Sequence, residues 1–120
     1  MYPKIVVEHF MNPKNSGKIV KATVVGEAST QSGNTAVIYL LVDNSIIKEF
    51  KYQVSGCPYA IASASILSEY AKGKNIKEFS NFNVNFFEQF FPLSEESIKC
   101  TEVVINAFKD ALNKYFATNP

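Results

Sequence analysis

Ala36-Val37-Ile38-Tyr39-Leu40-Leu41-Val42 is followed by Asp43-Asn44-Ser45, then by Ile46-Ile47-Lys48-Glu49-Phe50-Lys51-Tyr52-Gln53-Val54, and after Ser55 by Gly56-Cys57-Pro58. Two β-prone runs joined by residues that favour a turn predict a hairpin. In the second run Ile46, Phe50, Tyr52 and Val54 alternate with Glu49, Lys51, Gln53 and Ser55, with Lys48 as an exception on the apolar side. That alternation describes a strand with one buried and one wet face, as in an antiparallel sheet. The first run is apolar on both faces and belongs in the middle of the sheet. After Gly56-Cys57-Pro58 the period changes: Ile61, Ala64, Leu67, Ser68 and Ala71 form a helical stripe that Gly73 ends. Pro58 fits the first helical position, where a missing N–H costs nothing.

Working outward, Ile5, Val6, His9 and Phe10 recur at helical spacing between Tyr2 and Met11, and Asn12-Pro13 breaks the pattern. Lys14 to Lys18 reads as a loop, Ile19 to Ser29 as a strand, and Gln31 to Thr35 as a polar loop around Gly33. On the other side, Phe79 to Phe91 holds six of the ten phenylalanines, interleaved with asparagine. No lysine lies among them, so they read as short helices plugging rings into a core rather than as a base-stacking surface. Ser94 is an N-cap with Glu95 and Glu96 in the first turn. The stripe from Cys100 through Val103, Val104, Ala107, Phe108, Ala111 and Leu112 to Tyr115 continues as a helix. The order predicts an α+β fold: a small three-stranded antiparallel sheet with helices packed on one face, in a single domain spanning residues 1–120.

Composition narrows the function. The 120 residues, 47% apolar and 19% charged, resemble an ordinary globular domain. Twelve lysines, no arginine and eleven acids leave a net charge of +1, with no basic patch that would suit nucleic acid. The longest apolar run, Ala36 to Val42, falls short of the roughly 20 residues of a membrane helix. The first residues lack a signal-peptide core, so the expected location is cytoplasmic. There the two cysteines, Cys57 and Cys100, are expected as free thiols rather than a disulfide.

The chemistry therefore rests on the thiols. Cys57 follows a glycine and opens a helix, where the dipole and unpaired N–H groups lower a thiol's pKa. Cys100 lies near the start of the last helix beside Lys99, whose charge also favours a thiolate. The lone His9, between apolar neighbours, reads first as a packed residue. No plausible Ser-His-Asp constellation forms around the single histidine, and there is neither a C-x-x-C nor a phosphate-binding glycine loop. The chain does not read as an enzyme.

The assembled segments resemble the NifU/IscU-like scaffold proteins of iron–sulfur cluster assembly along nearly the whole chain. Tyr2 followed by His9-Phe10-Met11-Asn12-Pro13-Lys14-Asn15-Ser16-Gly17-Lys18 is similar to the family's N-terminal Y...H-[FY]-x-N-P-[RK]-N-x-G signature. Gly56 to Ser65 is similar to its G-C-x-x-A-I-A-S-[SA]-S segment, and Glu69 to Lys74 to its E-x-x-K-G-K. Lys99-Cys100 falls where the family places its third cysteine. The resemblance implies a sheet-and-helix scaffold fold, a site at Cys57 and Cys100 for iron, a 2Fe-2S cluster or zinc, and a cysteine desulfurase as partner.

The match departs at the family's first-cysteine motif, A-C-G-D, which corresponds to Gln31-Ser32-Gly33-Asn34. Ser32 stands for a cysteine, Asn34 for an aspartate, and Lys99 for a histidine, although lysine also occurs there in one branch. Hydroxyl and amide are weak ligands for soft metals. The chaperone-binding L-P-P-V-K segment is replaced by Pro92 to Lys99, so the resemblance does not extend to recruitment of an Hsp70-type chaperone. Three functions stay open: a cluster or iron carrier using Cys57 and Cys100, either in a monomer with a further ligand such as Asn34, Lys99 or an exogenous thiol or across a homodimer, a persulfide acceptor or desulfurase regulator that holds no iron, and a diverged paralogue with neither chemistry.

Overall fold

The structure is a computed structural model and describes residues 1–119. Its elements are α1 (Lys4–Met11), β1 (Val24–Ser29), β2 (Thr35–Asp43), β3 (Ile46–Ser55), α2 (Pro58–Ala71) and α3 (Glu95–Thr118), with two 3₁₀ turns, Ile76–Phe79 and Val84–Gln89, between α2 and α3. The three strands form an antiparallel meander in the order β1-β2-β3. The expected hairpin is β2–β3, turned by Asn44 and Ser45 at φ 53° and 65°. That left-handed pair matches the twist of a two-residue hairpin loop. The expected first strand is shorter than its β-prone stretch: Ile19 to Thr23 does not pair as strand, and Val20 stands in solvent.

Ala36, Ile38 and Leu40 of β2 and Ile47, Phe50 and Tyr52 of β3 are buried on one face. The alternation read from the sequence put Ile46 and Lys48 on that face, but the register shifts between Leu41 and Val42, so Leu41 pairs with Glu49 and Val42 with Ile47. The bulge leaves Lys48 outside the ladder and exposed while Ile47 and Phe50 both turn inward. A lysine in an apolar row thus marks the irregularity.

α3 lies across this face against β1 so closely that Gly26 is obligatory: a Cβ there would meet the Ala107 carbonyl, the Ala111 N–H and, at 2.7 Å, the Ala111 Cβ. α3 also serves the outer edge of β1. Asp110 Oδ2 accepts the Glu27 N–H at 2.9 Å, and Lys114 Nζ, 3.0 Å from Asp110, donates to the Val25 carbonyl at 3.1 Å. The Glu27 amide and the lysine hold the Asp110 carboxyl below its usual range. The edge of β3 is met by loops: Gly17 N–H donates to the Tyr52 carbonyl, Ile47 N–H to the Lys74 carbonyl and Gly73 N–H to the Ile47 carbonyl.

α2 is more enclosed than the predicted single stripe. Ala60, Ala62, Ser63, Ala64, Ser65, Leu67, Ser68 and Ala71 are all fully buried, because α1, α3 and the sheet pack around it. Its small residues permit that crowding. The phenylalanine segment, expected as short helices, is built on the two short 3₁₀ turns Ile76–Phe79 and Val84–Gln89. Phe79 and Phe82 meet Phe108 of α3 edge-on at 5.3 and 5.1 Å between ring centres, and Phe50 meets the same ring at 5.6 Å. Phe108 is therefore the hub at which sheet, turns and α3 join.

Candidate functional site

Three pieces of chain converge at one end of the sheet. The first is the β1–β2 loop. Thr30 N–H donates to the Asn34 carbonyl at 2.9 Å, Gly33 N–H to the Thr30 carbonyl at 3.0 Å, and Asn34 N–H to the Thr30 hydroxyl at 3.2 Å. Gly33, at φ 95°, supplies the left-handed residue that this tight loop needs. The exposed Ser32 hydroxyl has one partner, Thr30 Oγ1 at 3.0 Å.

The second piece is the junction of β3 and α2. Gly56, at φ 159°, has the Asn34 side chain over it, with Asn34 Oδ1 2.6 Å from where a Cβ would stand. A Cβ there would have to push the Asn34 side chain aside. Cys57 is the N-cap of α2 with no side-chain capping bond, and Pro58 follows at the first helical position. A thiolate on Cys57 would face the positive end of the helix dipole.

The third piece is α3. The helix begins at Glu95 behind a Ser94–Ser97 capping box, so Cys100 stands in its second turn rather than at its N-terminus. The expectation of two thiols at helix N-termini thus holds for Cys57 alone. Lys99, Glu102 and Asn106 on α3, together with Ser29, Thr30, Gln31 and Ser32, line an open groove of about 610 Å³. Glu102 and Asn106 escaped the sequence reading, although their spacing from Lys99 puts all three on one helix face.

The expectation of separate free thiols is corrected. Cys57 and Cys100 are paired as a disulfide, their Cα atoms 6.2 Å apart and 43 positions apart in the chain. The reason is geometric: the Gly56 turn and the second turn of α3 arrive within the span of a bridge. Both cysteines are partly buried. Among the described residues no group of three or more His, Cys, Asp and Glu side chains converges as a metal ligand set. A single chain offers two thiolates.

His9 lies elsewhere, in the α1–α2 contact. Its Nδ1 is 2.7 Å from the Ser65 hydroxyl and its Nε2 3.8 Å from Glu69. Ser65 also accepts the Lys14 N–H at 2.8 Å, and the Asn15 side-chain amide donates to Ser68 at 3.0 Å. The residues of the first signature therefore form a clasp over α2. The Tyr52 hydroxyl is buried near Ser65, and burial pushes its pKa up.

The pattern of the family described as "NifU-like N terminal domain" matches residues 1–120. The chain belongs to that family. It is 35% identical over 121 residues to the iron-sulfur cluster assembly scaffold protein IscU 1 of Archaeoglobus fulgidus, covering 99% of this chain and 79% of that one. It is 30% identical over 118 residues to the scaffold protein IscU of Aquifex aeolicus, covering 95% and 75%. Among solved structures, a NifU-like N-terminal protein from Brucella abortus superposes with a TM-score of 0.77 at 16% identity, covering 97% of this chain and 94% of that one. A putative scaffold protein for the SUF system from Fervidobacterium islandicum gives 0.73 at 22% identity, covering 92% and 96%. These superpositions agree with the three-stranded sheet and packed helices expected from the sequence.

Proposed function

We propose that this NifU-like chain is a scaffold-like carrier in iron–sulfur cluster assembly that takes iron or a 2Fe-2S cluster as cargo on Cys57 and Cys100. The observation that carries this reading is the convergence of these two sulfurs, from different elements, beside the loop of Ser32 and Asn34. The named function of the relatives supports it. Cargo requires the reduced dithiol. One chain brings two thiolates, and among the described residues no third His, Cys, Asp or Glu ligand joins them; a homodimer that pools four thiolates completes a cluster site, as would a monomer with a further ligand such as Asn34, Lys99 or an exogenous thiol. The groups left at Ser32 and Asn34 are hard, weak donors for such cargo. The chain works as a carrier without turnover of its own, in the cytoplasm, with a cysteine desulfurase as sulfur source. No helix among the described residues is long and apolar enough to cross a membrane.

Anaerobic reconstitution of the reduced protein with iron and sulfide tests the proposal, following absorbance, bound iron and light scattering. The expected result is about one 2Fe-2S cluster per dimer, lost in Cys57→Ala and in Cys100→Ala. A folded protein that stays monomeric and iron-free under these conditions overturns it.

A second reading is favoured by the lack of a third such ligand among the described residues: the thiols accept persulfide sulfur from a desulfurase and hold no iron. A partly exposed cysteine at a helix N-terminus suits that role. Mass spectrometry after incubation with a desulfurase and cysteine would reject it if the chain neither gained sulfur nor changed its thiol content.

A further inference from the structure

The geometry points to a second step after sulfur acceptance: Cys100 resolves a persulfide formed on Cys57, releasing the sulfur as sulfide and closing the Cys57–Cys100 disulfide. This inference rests on the persulfide-acceptor reading above. Three observations carry it. The two cysteines are paired, with Cα atoms 6.2 Å apart, within the span a disulfide bridges. Their settings differ: Cys57 caps α2, where the dipole favours the thiolate that accepts sulfur, whereas Cys100 stands in the second turn of α3 beside Lys99, away from the helix end. Finally, the loop that faces them offers Ser32 and Asn34, neither of which attacks a persulfide, so Cys100 is the one thiol positioned to do so.

The step balances within the chain. The Cys100 thiolate attacks Sγ of the Cys57 persulfide; the Cys57–Cys100 sulfur–sulfur bond forms, and the bond from Cys57 Sγ to the terminal sulfur breaks. Hydrosulfide leaves with the electron pair and the proton that the terminal sulfur already carried. The sulfane sulfur is reduced by two electrons to sulfide, while the two cysteine sulfurs reach the disulfide level. An external thiol reductant then restores the dithiol by exchange. Hydrosulfide is an anion, and Lys99, the chain neighbour of Cys100, lines an open groove together with Glu102 and the β1–β2 loop.

The test uses the reduced full chain in metal-free buffer with one equivalent of a cysteine desulfurase, loaded with persulfide and freed of cysteine. Intact mass, peptide mapping and released sulfide are measured on the wild type and on Cys100→Ser. The wild type is expected to lose two hydrogens in mass and to release one sulfide per chain. Cys100→Ser is expected to retain one added sulfur on Cys57 and to lose sulfide release. A wild type that keeps the added sulfur on Cys57 without releasing sulfide overturns resolution and leaves acceptance standing. Sulfide release that persists undiminished in Cys100→Ser also overturns it. If neither protein gains sulfur nor releases sulfide, the acceptor reading has failed and takes this inference with it.

Discussion

Ser65 and Ser32 sit in two regions of the molecule that treat the same hydroxyl in opposite ways. Ser65 is fully buried in α2 and holds α1 and the Lys14 loop together through His9 and a backbone amide. Ser32 stands exposed on the rim and touches only Thr30. The clasp region depends on each of its polar groups, because an unpaired group there would be buried without water. The rim tolerates exchange, because solvent satisfies whatever is placed on it. In a chain with Ser32 and Asn34 at its candidate site, the fold is therefore intact for reasons unrelated to that site.

Substitutions can break or sharpen this contrast. The largest effect belongs to the core that both regions share: Phe108→Ala, which removes the ring that joins Phe50, Phe79 and Phe82, should cost about 4 kcal/mol. Chemical denaturation followed by circular dichroism reads it, and a loss below about 1 kcal/mol would show that the ring cluster is not the hub. Ser65→Ala should cost about 2 kcal/mol by stranding the Lys14 amide and the His9 imidazole, and hydrogen exchange at Lys14 should accelerate. An unchanged denaturation midpoint would erase the distinction between clasp and rim.

Asp110→Asn comes next, at roughly 0.5 kcal/mol, since Asp110 and Lys114 are open to solvent and their pairing is screened. The folded pKa of Asp110 is depressed by the Glu27 amide and Lys114, so its contribution is present above the unfolded carboxylate pKa and fades as pH falls through the folded value. The variant should match the wild type in strong acid and fall behind it near neutrality. The smallest effect on stability, within about 0.5 kcal/mol, is expected for Ser32→Cys combined with Asn34→Asp. That pair should nevertheless let a monomer retain iron after reconstitution, as metal analysis and light scattering would show. If it unfolds the protein, the rim is structural after all.

Much of the architecture was legible because periodicity reports burial directly. Alternation in 46–54 and the change of period at Pro58 gave the hairpin and α2, and the Phe79–Phe91 segment announced its short turns. The residues that misled were those whose place depends on distant partners. Lys48 sits at a bulge that only the β2 pairing creates, and α2 is buried around most of its circumference because α1 closes over it. At the site, sequence picked out Cys57, Cys100, Lys99, Ser32 and Asn34 but not their arrangement. Cys57 and Cys100 meet across 43 residues, and no local pattern encodes that approach. Glu102 and Asn106 were within reach of a helical-face argument starting from Lys99.

The way the sheet ends its two edges limits how copies of this chain can associate. Backbone groups of β1 at Val25 and Glu27 are taken by Lys114 and Asp110, and those of β3 at Ile47 and Tyr52 by neighbouring loops. A second chain that tried to lengthen the sheet would have to displace bonds already made at both borders. Assembly by continuous strand pairing is thereby discouraged. Under the carrier proposal, two chains that share cargo would have to meet somewhere other than these sheet borders.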